Sequence, residues 1–310
     1  MSNYDNIRYI PQKDIDKQKW DNCINNAFNG LIYARSFYLD SIAVNWDALV
    51  LNDYEVVMPL TWNKRYGILY LYQPYFTASL GIFGNDLNAS ITQQFLEASP
   101  KKFFYWDIDL NESNLLVKDS LYKKIQAKER VNIFLPLKES YEKLSSGYSR
   151  LATRKLKTAA ENLNIRPETN PKTIVQHYIN NYQKSKGAVP QSGYNYLLNL
   201  LTKLPKENFR AYTAVLPDNE IAAFYLVFTD ERFVYSIIGG STAKGKEIGA
   251  FYFVTDAAIR EFAGSNKIFR FEGSDVPGIA FFDLQFGSYK VEYWHLKMNN
   301  LPWPMNLLKK

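Results

Sequence analysis

The chain has 310 residues, with 37 Lys and Arg against 31 Asp and Glu. Its formal net charge of +6 suits anionic ligands such as nucleotides, CoA or RNA without selecting among them. One cysteine, Cys23, excludes a disulfide framework and a cysteine-ligated metal centre, and two distant histidines, His177 and His295, offer no zinc site. A composition of 46% hydrophobic and 22% charged residues is globular material for about two domains. The opening MSNYDNIRYIPQKDIDKQKW has no apolar signal core, and no run of roughly eighteen apolar residues occurs, so a cytoplasmic chain without membrane insertion is expected.

In chain order, helices are predicted over 14–28, with Cys23 as a small apolar residue, and over 35–42. WDALVLNDYEVVMPLTWNKRYGILYLY then reads as three strands, with turns at Asn52-Asp53 and Asn63-Lys64-Arg65, an antiparallel meander. The following loop carries Gly81 and Gly84 but no Lys or Arg. ITQQFLEASPKKFFYWDIDL supplies a helix and a further strand. A connecting stretch holds Leu144, Tyr148, Ala152, Leu156, Ala159 and Leu163 as one apolar stripe. Arg150, Arg154 and Lys157 share the opposite face, with Lys155 beside it.

The second half repeats the first half's order. Helices are predicted over 171–185, bearing His177, and over 191–204. FRAYTAVLPDNEIAAFYLVFTDERFVYSIIGG then gives three strands with turns at Pro217-Asp218-Asn219 and Thr229-Asp230-Glu231. The segment GGSTAKGKEIGAF is expected to be a loop, and YFVTDAAIREFAG a helix, with Phe251, Val254, Ala258 and Phe262 at helical spacing. Its crossover returns to a strand parallel to the third. The boundary between halves falls at 140/141, giving domains 1–140 and 141–310, with the basic helix opening the second.

Several residues are candidates for chemistry. Gly239, Gly240, Ser241, Lys244, Gly245, Lys246 and Gly249 combine backbone N–H groups free to converge, two ammonium groups and a helix start, which suits a pyrophosphate. A surface turn with solvated lysines is the alternative. Glu272 ends a strand in FRFEGSDVPGI, where a carboxylate holds an attacking amine or takes its proton, unless its role is structural. Asp275 is read as the cap of a helix starting at Pro277. Tyr235, Tyr289 and Phe286 line the cleft or belong to the core. His295, alternating in VEYWHLKM, is a surface or packed residue rather than a base.

The order of elements resembles the GNAT acetyltransferase fold. Its tandem arrangement, with the basic helix SRLATRKLKTAAENLNI and the run FRFEGSDVPGIAFFDLQFGSYKVEY, is similar to the FemABX-type branch. The resemblance implies an α+β protein of two tandem GNAT-like units, each a mixed sheet flanked by helices, that moves an acyl or aminoacyl group to an amine. It also implies a basic-x-x-Gly-x-Gly/Ala signature for CoA, partly met by Lys246, Gly249 and Ala250, with Phe251 where a small residue is expected. Acyl-CoA, such as acetyl-CoA, is the expected donor, or else aminoacyl-tRNA, with no metal. The acceptor is a small molecule or resembles a peptidoglycan precursor. Arg150, Arg154 and Lys157 would meet a phosphate-bearing acceptor or an RNA, or stay solvated. A binding module that keeps the fold without the chemistry is the competing function.

Overall fold

The computed structural model describes residues 6–116, 124–168, 170–183, 189–303 and 306. The chain forms two compact units, residues 1–130 with 292–310, and residues 131–291.

The first unit opens with β1 (Ile7–Ile10), α1 (Lys17–Asn26) and α2 (Ser36–Ile42). The Asp16 carboxylate accepts from the Gln18 and Lys19 N–H groups and starts α1, which buries Trp20, Cys23 and Ile24. Next come β2 (Asn45–Leu51), β3 (Val56–Arg65) and β4 (Ile68–Tyr72), a short β5 (Phe83–Gly84), α3 (Ala89–Ala98) and β6 (Phe103–Asp109). The strands lie in the order β1-β2-β3-β4-β6, antiparallel except for β4 and β6, which the α3 crossover leaves parallel. Buried Leu49, Met58, Leu71, Phe95 and Trp106 share one core cluster. The loop before β5 is held by amides rather than charges: the Asn114 side chain accepts from Ile82 N–H and donates to its carbonyl.

β7 (Ile125–Pro136) carries the chain into the second unit. There follow α4 (Tyr141–Ser146), α5 (Arg150–Asn162), β8 (Asn164–Pro167), α6 (Pro171–Tyr182) and α7 (Gln191–Lys203). Then come β9 (Phe209–Val215), β10 (Ile221–Thr229), β11 (Phe233–Ser241), α8 (Ala243–Glu247), α9 (Ala250–Phe262), β12 (Ile268–Arg270) and α10 (Pro277–Asp283). β13 (Tyr289–Asn299) returns the chain to the first unit, where it pairs with β6. The sheet of the second unit runs β8-β9-β10-β11-β12-β7, with β11 and β12 its parallel pair. The apolar stripe of the basic helix packs as expected, since Leu144, Tyr148, Ala152, Ala159 and Leu163 share a core cluster with Ala250, Val254 and Ala258 of α9.

Four expectations are corrected. The stretch after residue 144 is two helices, because α4 closes at Gly147 and the Ser149 hydroxyl caps α5 anew. The segment 239–249 is no loop. Gly239 to Ser241 finish β11, and the Thr242 hydroxyl accepts from Gly245 N–H to start α8. Asp275 does not cap α10, whose N-cap position is taken by Val276 with no side-chain hydrogen bond. The helix expected over 171–185 ends at Tyr182, and residues 184–185 lie outside the described residues.

Gly245 tests the seating of α8. A Cβ there would stand 1.9 Å from the Ala222 carbonyl oxygen, a backbone atom with nowhere to rotate. Gly245→Ala is therefore expected to cost about 1–3 kcal/mol, read as a lower denaturant midpoint at unchanged slope. Gly278→Ala, where a Cβ meets nothing within 4 Å, is expected to be neutral or to gain about 0.5–1 kcal/mol.

Candidate functional site

The site is built where two parallel strands part. β11 and β12 pair only from Phe233–Ile268 to Tyr235–Arg270. Beyond Arg270 the chain stays with β7, Phe271 N–H donating to Ile133 O at 3.0 Å and Glu272 N–H to Asn132 Oδ1 at 3.1 Å. Among the described residues no strand covers the open edge of β11 from Ser236 to Ser241. On its other edge, pairing with β10 shifts register so that Leu226 faces Ile238 while Val227 faces Ser236. Ile237 is thus the extra residue of a bulge, a device that frees local backbone groups from the ladder.

A cavity of about 780 Å³ opens along this edge, with Ile237, Gly239, Gly240 and Ser241 in its wall. Adjacent strand residues face opposite sides, and each glycine admits an aromatic ring from a different helix. A Cβ at Gly240 would lie 2.3 Å from the Tyr182 hydroxyl of α6, and one at Gly239 would lie 2.6 Å from Phe251 of α9. The two glycines therefore make room for rings, not for a phosphate. The same contact explains the large residue at 251, whose ring meets Tyr225 at 5.3 Å and Phe282 at 5.0 Å.

Glu272 lines the cavity, is buried, and sits at φ 59°, a left-handed conformation that costs a non-glycine residue about 1–3 kcal/mol. Arg270 and Asn132 hold its carboxylate. Arg270 Nε donates to Oε1 at 3.0 Å, and the Asn132 amide donates to Oε2. Arg270 is itself 1% exposed and lies 4.6 Å from the centre of the Phe134 ring and 5.2 Å from that of Phe233. Arg270 and Glu272 thus form a buried ion pair of opposite charges.

Asp283, at the end of α10, also lines the cavity and is 3% exposed. Its Oδ2 accepts from the Ser274 hydroxyl at 3.2 Å. Burial, reinforced by the negative charge of Glu272 and opposed by the Ser274 hydrogen bond, pushes its carboxyl up to about 8. The buried Tyr225 phenol is raised too, by burial first and then by Asp283 and Glu272, so the three groups share one neighbourhood. A carboxyl with such a shift, in a cleft, is poised to exchange a proton near neutral pH.

Of the residues singled out from sequence, Glu272, Gly239, Gly240, Ser241 and Lys246 line the cavity. Lys244 is half-exposed and ion-paired with Glu220 at 3.3 Å, away from the lining. Gly245 seats α8 on Ala222, and Gly249 opens α9 at φ 76° against Lys155. Arg150, Arg154 and Lys157 are exposed on α5 and do not line the cavity, whereas Lys155 donates to the Glu247 carbonyl at 3.1 Å. Tyr235 belongs to the core, its hydroxyl bonded to Asp230 at 2.6 Å. Phe286 is buried among Tyr148, Phe271 and Phe282, and Tyr289 is an exposed residue of β13. His295 is packed in the first unit, 3.0 Å from Asp109, which also takes Arg130.

The sequence reading missed Asp283 and Tyr178, Tyr182 and Tyr225. The signals were the one acid inside the apolar run AFFDLQF, and the i, i+4 tyrosines of α6.

The sign of the Asp283 linkage is testable. With its pKa raised in the folded state from 3.8 to about 8, its contribution is fully present below pH ~4 and is lost as pH rises towards ~8. The melting temperature of Asp283→Asn relative to the parent is therefore expected to rise steadily between pH 4 and 8. An offset independent of pH would remove the shift.

No family model matches the sequence, and no curated protein matches it. Solved structures do. FemX superposes with a TM-score of 0.65 at 12% identity, over 97% of this chain and 99% of that chain. A conserved protein of unknown function from Bacteroides thetaiotaomicron gives 0.62 at 11%, over 94% and 99%. The C-terminal domain assigned to a lysylphosphatidylglycerol synthetase of Agrobacterium fabrum gives 0.55 at 10%, over 94% of each chain. The chain has the fold of FemX, and each of its two units is a mixed sheet flanked by helices.

Proposed function

We propose that the second unit transfers an acyl or aminoacyl group to an amine in the cavity along β11. The observation that carries this reading is the open edge of β11 from Ser236 to Ser241, on a strand bulged against β10 at Ile237, beside the carboxylates of Glu272 and Asp283. Backbone N–H groups along an unpaired edge polarise a thioester or ester carbonyl without reorganising, and a water-poor wall strengthens them. Asp283 takes one proton from the bound ammonium and leaves a neutral amine. The amine's lone pair then attacks the acyl carbon and the C–N bond forms. The C–S or C–O bond breaks, and the second proton leaves with the thiolate or alkoxide. Glu272, held by Arg270 and Asn132, orients the amine.

The donor is a polyanion, an acyl-CoA such as acetyl-CoA or an aminoacyl-tRNA. Lys246 at the cavity wall, and the start of α9 at Gly249, which has no side-chain cap, supply the positive field that it needs. The names of FemX and of the synthetase domain are compatible with acyl or aminoacyl transfer. The acceptor is a small amine or a peptidoglycan-precursor-like one, and Arg150, Arg154 and Lys157 offer a face to RNA. The shared order of elements in the two units supports a tandem duplication. The proposed location is the cytoplasm; no helix of the described residues is long and apolar enough to cross a membrane. One observation favours a binding module instead: rings fill the space beside Gly239 and Gly240 that a phosphate cradle leaves open.

Transfer from labelled acetyl-CoA or an aminoacyl-tRNA to a panel of amines separates the two readings. The rate is expected to rise with pH along a limb near 8. Asp283→Asn is expected to slow transfer about 10²–10⁴-fold and to remove the limb. No transfer from either donor class would leave the binding module. Lys246→Glu is expected to raise the donor KM at an unchanged melting temperature. Gln at positions 150, 154 and 157 is expected to weaken tRNA binding but not CoA binding, each exposed change being worth within about 0.5 kcal/mol of stability.

A further inference from the structure

The charge and lining of the cavity bear on what enters it. Glu272 has its counter-charge in Arg270 at 3.0 Å, and both are buried. Asp283 has none: its hydrogen-bonding partner is the neutral Ser274 hydroxyl, and no Lys or Arg among the described residues pairs with it. The groups that act on it are Glu272 and the Tyr225 phenol, neither of them cationic, and Lys246, which lines the same cavity, forms no ion pair with it. The inner cavity thus holds one uncompensated carboxylate. A buried carboxylate in that position either keeps a proton or takes a cation from outside.

The walls decide which cation. Tyr178 and Tyr182 of α6, with rings 4.9 Å apart, line the cavity with Phe251 and Phe282. At its rim, Val276 at the N-cap of α10 and Ile279 within it are 54% and 42% exposed and still line it, so the apolar wall continues outward. Apart from the acids, the polar side chains in the wall are Ser236, Ser241, Lys246 and the tyrosines Tyr178, Tyr182 and Tyr225, whose rings present apolar surface as well. One oxygen of Asp283 is already engaged by Ser274, which leaves a single point contact suited to an ammonium rather than to the fork of a guanidinium. Aromatic faces attract the same ammonium.

We propose that the acceptor is a hydrophobic primary amine, an alkyl- or aralkylammonium whose charge rests on Asp283 and whose hydrocarbon lies on the aromatic walls and the apolar rim of α10. This deepens the transfer reading of the same site and rests on it for the word acceptor. The amine site itself requires no donor.

Calorimetric titration of the full chain at pH 7 with n-octylamine, 2-phenylethylamine, 1-octanol and ethanolamine, without donor, tests it. Both hydrophobic amines are expected to bind at least about tenfold tighter than octanol and ethanolamine, about 1.4 kcal/mol. Because binding displaces the Asp283 proton, the enthalpy is expected to vary with the ionisation enthalpy of the buffer. Asp283→Asn is expected to abolish the preference of octylamine over octanol. Ile279→Lys, at an exposed position that leaves folding intact, is expected to weaken octylamine about tenfold and ethanolamine little. Ethanolamine or octanol binding as tightly as octylamine, or an amine preference that survives Asp283→Asn, would overturn the proposal. A chain that binds octylamine but transfers from no donor keeps the amine site and loses only the transfer reading.

Discussion

Past Arg270 the chain has two neighbours available, β11 and β7, and it follows β7. The hydrogen bonds of Phe271 to Ile133 and of Glu272 to Asn132 make that choice. Had the chain stayed with β11, the edge from Ser236 to Ser241 would be filled and no cavity would exist. Because it leaves, six residues of strand lie open along the cavity, and the helices that flank the sheet reach in from both faces. Their rings at Gly239 and Gly240 then close what the missing strand left unfilled.

That departure is held by an arrangement that is expensive on its own. Burying Arg270 and Glu272 costs several kcal/mol of hydration per ion before their attraction and hydrogen bonds are counted, so the pair contributes little net stability. It contributes position. Glu272 bends through a left-handed backbone conformation, and Asn132 binds both its amide and its carboxylate, fixing the turn and the side chain together. The same negative charge acts on Asp283 and adds to the rise in proton affinity that burial gives it.

Much of this fold was legible in the sequence because its signals are local. Alternating apolar strands, short polar turns and helical spacing at Phe251, Val254, Ala258 and Phe262 gave both meanders and both crossovers. β1 and β8 escaped because IRYI and NIRP are four-residue edge strands with little pattern of their own, stabilised by pairing with β2 and β9. The glycines at 239 and 240 were visible, but their purpose was not. A glycine near a helix start reads the same whether it admits a phosphate or the ring of Tyr182, 58 positions earlier in the chain. Tyr235 and Tyr225 are both strand tyrosines, and only pairing shows that one bonds Asp230 in the core while the other faces the acids. Asp283 escaped for a related reason: the apolar run AFFDLQF hints at its burial, but Glu272 and Ser274 meet it only through the fold.

The return of β13 to the first unit has a consequence for how the chain comes to be folded. The second unit is one unbroken stretch, 131–291. The first unit lacks its last strand until His295 reaches Asp109, 186 positions earlier, and Leu296 joins its core. Closing so long a loop is entropically slow while the intervening chain is disordered. During synthesis the usual completion of the N-terminal domain first is therefore denied to this chain: β6 keeps an uncovered strand edge until β13 has been made, the interval in which chaperones have most to protect.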